Sequence, residues 1–211
     1  MNFFNPTYRH GVILVLLAGV CWSSMGLGIR FIETANVWQI LFYRSLSLVP
    51  FLFAVIAMRS GGRPFLVIRK VGLAGLIGAV ALVFAFTGGI FAIQATTVAN
   101  AMFLFAAAPF LAALLGLFIL RERVRSATWW AMAAAMTGIA IMVWDGISLG
   151  RMIGNIAALI SALGFAVFTV ALRWRKVEDM MPTVFLAGVF AIFASAAVCL
   201  ALGYSLVLPT E

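Results

Sequence analysis

An arginine inside a long apolar run is the most unusual charge placement in this sequence. Arg44 lies in the segment Phe42-Tyr43-Arg44-Ser45, about seven residues into the apolar run 37–58. If that run is a helix in a bilayer, Arg44 is roughly 10 Å below the surface, where a cation costs at least about 2.5 kcal/mol. We therefore expect Arg44 to face a polar cavity or a partner, although its long side chain could instead reach back to the headgroups.

Other polar and aromatic residues within the apolar runs could form a binding site with Arg44. The residues that we predict to bind substrate are Arg44, Trp22, Ser23, Tyr43, Gln94 and Asn100. In this hypothesis Arg44 attracts an anionic or carboxylate group, and Trp22 and Tyr43 offer aromatic walls; Asn155 is placed similarly to Asn100. The alternative for each residue alone is local, because Ser and Asn in membrane helices often bond backbone carbonyls or hold helices together.

Residues for acid–base, nucleophilic or metal chemistry are not placed deep in the apolar runs. The acidic residues lie at run ends or in the gaps: Glu33, Glu122, Asp145, Glu178, Asp179 and Glu211. Cys21 and Cys199 have no zinc-ligand spacing, and we interpret them as small buried apolar residues. No hydrolase, kinase or nucleotide motif is present. The sequence therefore predicts no enzyme activity, no catalytic residue, no metal and no cofactor.

The composition indicates that lipid surrounds much of the chain. Of its 211 residues 65% are hydrophobic and 9% are charged, and the mean hydropathy is +1.18. A soluble protein is nearer half apolar and a quarter charged. The net charge of +8 would suit a nucleic-acid partner, but the basic residues occupy short gaps between apolar runs, as in membrane proteins. We therefore expect the lipid bilayer as a partner and no nucleic acid.

Seven apolar runs are long enough to cross a bilayer as helices. They are 11–30, 37–58, 71–93, 97–120, 127–144, 153–172 and 183–206. Gly75, Gly78, Gly88 and Gly89 in the third run are typical of close helix packing, and Pro109 predicts a kink in the fourth. The sequence thus predicts an all-α integral membrane protein with about seven transmembrane helices.

The basic residues alternate between the gaps, which predicts the orientation. One set of gaps and the N-terminal segment hold Arg9, Arg59, Arg63, Arg69, Lys70, Arg121, Arg123, Arg125, Arg173, Arg175 and Lys176. The other set holds Arg30 and Arg151. Because cytoplasmic loops are rich in Lys and Arg, we predict a multi-pass protein of the cell (inner) membrane with a cytoplasmic N-terminus. Seven crossings then place Glu211 outside.

A weak internal repeat relates the start of the chain to its sixth run. A shift of 143 residues aligns Gly11 with Gly154, Trp22 with Phe165, and Arg30 with Arg173. Five helices separate the two copies, and since five is odd, the second copy would enter the membrane in the opposite direction. Inverted repeats of this kind recur in transporters, where the substrate site lies between the halves near the bilayer midplane.

The third to fifth runs resemble the EamA domain of the drug/metabolite transporter superfamily. The similarity rests on the stretch AIQATTVANA at 92–101, Pro109-Phe110, the stretch LRERV at 120–124, and Gly138-Ile139-Ala140. Arg44 resembles an Arg often found in the second helix of that domain, and Trp22-Ser23-Ser24 is similar to its first-helix pattern. The resemblance implies ten helices in two inverted five-helix repeats, cytoplasmic termini, and a central cavity that exports or exchanges small metabolites.

The chain departs from that plan because it stops after the seventh run. We expect residues 1–145 to form the first five-helix repeat and residues 150–211 an incomplete second repeat of two helices. We also expect a truncated chain rather than a natural seven-helix protein. Its partners would then be a small-molecule substrate and either a second copy, as a homodimer, or the missing C-terminal helices.

Two functions remain open at this point. The first is a secondary transporter or exporter of small metabolites, amino acids or related compounds, that works by alternating access between inverted repeats. The second is a non-transporting membrane scaffold or auxiliary subunit that associates through the small-residue faces of its helices, since such faces serve both functions.

Overall fold

The structure, a computed structural model, describes residues 8–32, 35–122, 126–148, 151–177 and 179–206. Within these ranges the elements are helices, and no strand occurs. The predicted all-α class is therefore confirmed. Several charged side chains considered in the sequence analysis are not among those that the structure describes: Arg9, Arg30, Glu33, Arg123, Arg125, Asp145, Glu178 and Glu211.

Nine α-helices follow one another along the described chain. They are α1 Tyr8–Phe31, α2 Val37–Arg59, α3 Pro64–Arg69, α4 Gly72–Ala95, α5 Val98–Phe105, α6 Ala108–Leu115, α7 Ser126–Ser148, α8 Met152–Trp174 and α9 Met181–Ala201. Six segments of the described chain are long and apolar enough to cross a membrane: α1, α2, α4, α8, α9 and the composite Val98–Leu120. The predicted run 127–144 lies in α7, where the apolar segment Ser126–Ile141 is shorter than those six.

Two boundaries differ from the sequence prediction for local reasons. The gap after α2 contains the short helix α3, which begins with Pro64 at a position where a missing N–H costs nothing. The run 183–206 stays apolar to its end, but α9 ends at Ala201. Gly203 adopts a φ of +71° there, and the Tyr204 N–H donates to the Cys199 carbonyl, which is the hydrogen bond of a Schellman helix end.

The fourth span is broken in the middle, as Pro109 predicts. Helix α5 ends at Phe105 and α6 starts at Ala108, one residue before the proline. At the break the Ala107 N–H donates to the Leu104 carbonyl, three residues earlier, at 3.1 Å. A hydrogen bond of this spacing makes a tighter turn than the α-helix, and it lies beside the proline, which has no N–H to donate. The span then closes with a π-helical turn over Gly116–Leu120.

Helices α4 and α8 form an antiparallel pair at the centre of the bundle. A Cβ atom on Gly88 would lie 2.8 Å from the Ala157 carbonyl oxygen, and one on Gly164 would lie 2.6 Å from that of Ala81. Between these points the Ser161 hydroxyl donates to the Ala85 carbonyl at 2.6 Å. Along this contact the residue numbers increase on α4 while those of their partners on α8 decrease. The two helices are therefore antiparallel, and their backbones are in contact.

Helix α9 packs on both α2 and α4, and α1 lies at the edge of the bundle. A Cβ on Gly188 would come within 2.8 Å of Val49 on α2, and one on Gly75 would come within 3.0 Å of the Thr183 hydroxyl on α9. The side chains from Val12 to Leu17 on α1 are exposed. The helices that contain most of the core are thus α4 and α8, with α2 and α9 packed beside them.

We predict that Gly164→Ala destabilises the protein by about 1–3 kcal/mol, because the added methyl group meets backbone atoms that cannot move aside. Gly138→Ala in α7 is the matched control, since a Cβ there meets nothing within 4 Å and alanine favours a helix. The thermal unfolding midpoint of each purified variant in detergent measures the effect. Equal midpoints for the two variants would argue against the backbone contact.

Candidate functional site

A cavity of about 470 Å³ opens between α1, α2, α4, the broken fourth span and α8. Its volume lies within the range of small-molecule sites. The wall is mainly apolar, and its small residues, among them Ala85, Gly89 and Ala162, belong to the closely packed pair α4 and α8. The cavity therefore lies where the small side chains of these helices leave space beside their contact.

Arg44 is the one charged residue among the described residues that line this cavity. The central carbon of its guanidinium group lies 4.1 Å from the centroid of the Phe86 ring on α4. Its Nη1 atom is buried and has no hydrogen-bond partner among the described residues. The side chain thus extends between helices onto an aromatic face.

Aromatic rings from several helices surround the remaining space. Trp22 comes from α1, Phe105 from α5 and Phe165 from α8. Ser161 also lines the cavity, and its hydroxyl donates to the Ala85 carbonyl. A molecule in this space would meet one cation, several rings and little other polarity.

The break in the fourth span also borders the cavity. Ala106, Ala108 and Pro109 line it, so the first turn of α6 begins at the cavity wall. The N-terminus of a helix has free N–H groups and a partial positive charge. Transporters often place such half-helix ends beside their substrates.

Two of the predicted site residues meet in the cavity, and a third lies beside it. Trp22 and Arg44 both line the main cavity. Tyr43 and Arg44 line a neighbouring cavity of about 320 Å³, where the Tyr43 hydroxyl donates to the Leu206 carbonyl at 2.8 Å. Ser23 donates to the carbonyl of Gly19 in its own helix at 3.0 Å, which corresponds to the local alternative for serine.

Gln94 and Asn100 do not line the cavity that holds Arg44. The Gln94 side-chain amide donates to the Ala35 carbonyl at 3.1 Å. The amide of Asn100 donates to Thr96 at 3.1 Å and to the side-chain oxygen of Asn155 on α8. Asn155 is fully buried, and its Nδ2 atom has no partner among the described residues. These amides tie helix ends together, and their role in binding stays a prediction.

Sequence reasoning missed Phe86, Phe105, Ser161 and Phe165 as wall residues. Phe is common in this chain, with 19 residues, so residue type alone could not single out these three. One signal was present for Phe165, because the shift of 143 aligns it with Trp22. Both residues of that pair line the cavity.

An ion pair joins two helices at the opposite end of the bundle. Arg173 at the end of α8 donates to Glu122, which follows the fourth span, at 2.6 Å. Both side chains are nearly half exposed, and such pairs contribute little to stability. The described partner of Glu122 thus comes from α8.

Comparison with known proteins identifies a family. A family model described as the EamA-like transporter family matches residues 9–144. No curated protein and no solved structure matches the chain. The match covers well over half of the sequence and includes Trp22, Arg44 and the broken fourth span.

We predict that Asn100→Ala and Asn155→Ala each destabilise the protein. The double variant should lose less free energy of unfolding than the two single variants together. Either single change removes the hydrogen bond between the two amides. The coupling free energy should be about 0.6–1.7 kcal/mol, as for other hydrogen bonds between membrane helices. Unfolding titrations with SDS measure the cycle.

The control for this cycle is Thr137→Ala, whose exposed hydroxyl bonds only Ala133 in its own helix. The free-energy cost of removing this hydroxyl should simply add to that of either asparagine substitution, with no coupling free energy. Additive costs for Asn100 and Asn155 would count against a structural role for the pair.

Proposed function

The chain belongs to the EamA-like transporter family, and from that premise we propose that it is a secondary transporter or exporter of small metabolites, amino acids or related compounds, that works by alternating access. The family is one of membrane transporters of the drug/metabolite transporter superfamily. The observation that carries the proposal is the cavity of about 470 Å³ with Arg44 over Phe86 on its wall. A cation in an apolar membrane cavity is costly, and function is the usual reason for keeping one.

The side-chain interactions between segments are stronger at one end of the bundle than at the other, and this difference supports alternating access. At one end three side-chain amides cross between segments: Gln39 to Ser205 at 2.6 Å, Gln94 to Ala35, and Asn100 to Asn155. At the other end the exposed pair of Glu122 and Arg173 joins the fourth span to α8, and the exposed Arg59 side chain donates to the Met181 sulfur on α9 at 3.2 Å. Since an exposed ion pair is weak, the end that holds it should open more easily in this conformation.

The pairing of Trp22 with Phe165 supports inverted repeats over residues 1–145 and 150–211. The two residues come from α1 and α8, the helices that the shift of 143 aligns, and both line one cavity. The family match to 9–144 spans the block assigned to the first repeat. In repeat-built transporters the substrate site lies between the halves, and each of the two proposed halves contributes one of these residues to the cavity wall.

The described basic residues support a cytoplasmic N-terminus in the cell (inner) membrane. At one end lie Arg59, Arg63, Arg69, Lys70, Arg121, Arg173, Arg175 and Lys176, and at the other lies Arg151. Lys and Arg are retained on the cytoplasmic side.

The scaffold alternative has less support. The small-residue faces of α4 and α8 contact each other, so within this chain they are already covered. Other glycines meet no neighbour, and they include Gly11 and Gly19 on α1 and Gly138 on α7. A scaffold would associate through such open faces, and that association would not require a cavity with a buried cation.

Counterflow in proteoliposomes across a panel of amino acids and related acids tests the proposal. We expect Arg44→Ala to reduce uptake of the transported compound by about tenfold or more, because a charge-assisted hydrogen bond is lost. Arg69→Ala removes an exposed charge outside the cavity and should change uptake by less than about twofold. No uptake by the wild type, or equal uptake by both variants, would remove the site assignment.

Labelling of single cysteines on intact cells tests the orientation. In a background with Cys21 and Cys199 replaced by alanine, Tyr204→Cys should react with an impermeant thiol reagent, and Arg63→Cys should react only after permeabilisation. Both positions are exposed, so accessibility to the reagent depends on the side of the membrane. Reaction of Arg63→Cys alone on intact cells would invert the proposed orientation.

A further inference from the structure

We infer that the cavity selects monoanions with an apolar body, such as a small arylalkyl carboxylate, over the zwitterion or the neutral amide of the same shape. The inference rests on the proposed function and narrows its substrate class at the same cavity. It depends on which charges the cavity contains, on the state of Arg44, and on the nature of the remaining wall.

The charge balance of the cavity favours an anion. Arg44 is the charged residue among its described lining residues. The two acidic side chains that the structure describes are engaged elsewhere, since Glu122 pairs with Arg173 and Asp179 accepts from the Met181 N–H at 3.0 Å. A bound ammonium group would therefore find no described carboxylate here, and removing it from water would go uncompensated.

The contacts of Arg44 indicate which interaction its guanidinium group lacks. Phe86 covers one face of the guanidinium, while its buried Nη1 atom has no described partner. A buried cation without a counter-ion is unfavourable. A carboxylate placed against the edge of the guanidinium would provide charge-assisted hydrogen bonds, which are the strong ones for arginine.

The rest of the wall fits an apolar body. Trp22, Phe105 and Phe165 surround the space, and a volume of about 470 Å³ accommodates one aromatic ring with a short chain. Aromatic faces also attract an ammonium group, but weakly compared with the cost of desolvating it. The rings therefore favour the body of the ligand more than a second charge.

Four ligands that share a phenyl ring and a two-carbon chain isolate the head group. They are 3-phenylpropionate, 3-phenylpropanamide, phenylalanine and phenethylamine, which present an anion, a neutral amide, a zwitterion and a cation. Titration calorimetry with the full chain in lipid nanodiscs measures each affinity. We expect 3-phenylpropionate to bind about tenfold or more tightly than the other three, since it alone adds a carboxylate without an ammonium group.

Two variants connect that preference to the cavity. Arg44→Gln should weaken 3-phenylpropionate binding by about tenfold or more and bring it close to that of the amide. Arg69→Gln, an exposed position outside the cavity, should leave the order of the four ligands unchanged. If Arg44→Gln does not fold, the wild-type order of affinities still decides, because the ligands differ only in their head groups.

The outcomes separate this inference from the proposed function. Binding of phenylalanine as tight as that of the acid, or no binding of any of the four, would overturn the inference. Counterflow of amino acids that depends on Arg44 would then leave the transporter proposal standing. Preferential binding of the acid without any counterflow would support the inference and reject transport.

Discussion

Helices in a bilayer gain no hydrophobic free energy by packing together, because lipid tails solvate apolar side chains as well as a protein interior does. The contact between α4 and α8 therefore has to come from the close approach of their backbones, which glycine permits because it has no side chain. Gly88 and Gly164 bring each helix against a carbonyl of the other. That contact sets the distance between Phe86 on one helix and Phe165 on the other, and hence the width of the cavity that both line.

Polar groups are separated into two regions of this bundle. At one end the side-chain amides of Gln39, Gln94 and Asn100 bond to partners on other segments, which satisfies groups that would be costly in lipid. Deeper in the bundle Arg44 has a ring beside it but no described hydrogen-bond partner for its Nη1 atom. Apart from the Asn155 Nδ2 atom, the first region is satisfied within the chain and stabilises the fold, whereas the second leaves capacity for a ligand.

Sequence reasoning predicted the helices well because their signal is length and hydropathy, and it predicted the break at Pro109 because proline lacks an N–H. It also placed Arg44 in a cavity with Trp22. It could not assign Phe86 or Phe105, because runs that are apolar on every side carry no periodicity to mark the inward face. Asn100 illustrates a second limit: a polar residue in a membrane helix can be satisfied by another helix, and sequence alone does not distinguish that from ligand binding.

The close contact at Gly164 and the adjacent ring of Phe165 have an evolutionary consequence. At position 164 the neighbouring atoms belong to the backbone, so even one additional methyl group disturbs the bundle. At position 165 the side chain lines the cavity, and a substitution there changes the shape offered to a ligand. Adjacent codons are therefore under different selection, and a duplicated gene could acquire a new ligand by drift at codon 165 while codon 164 stays constant.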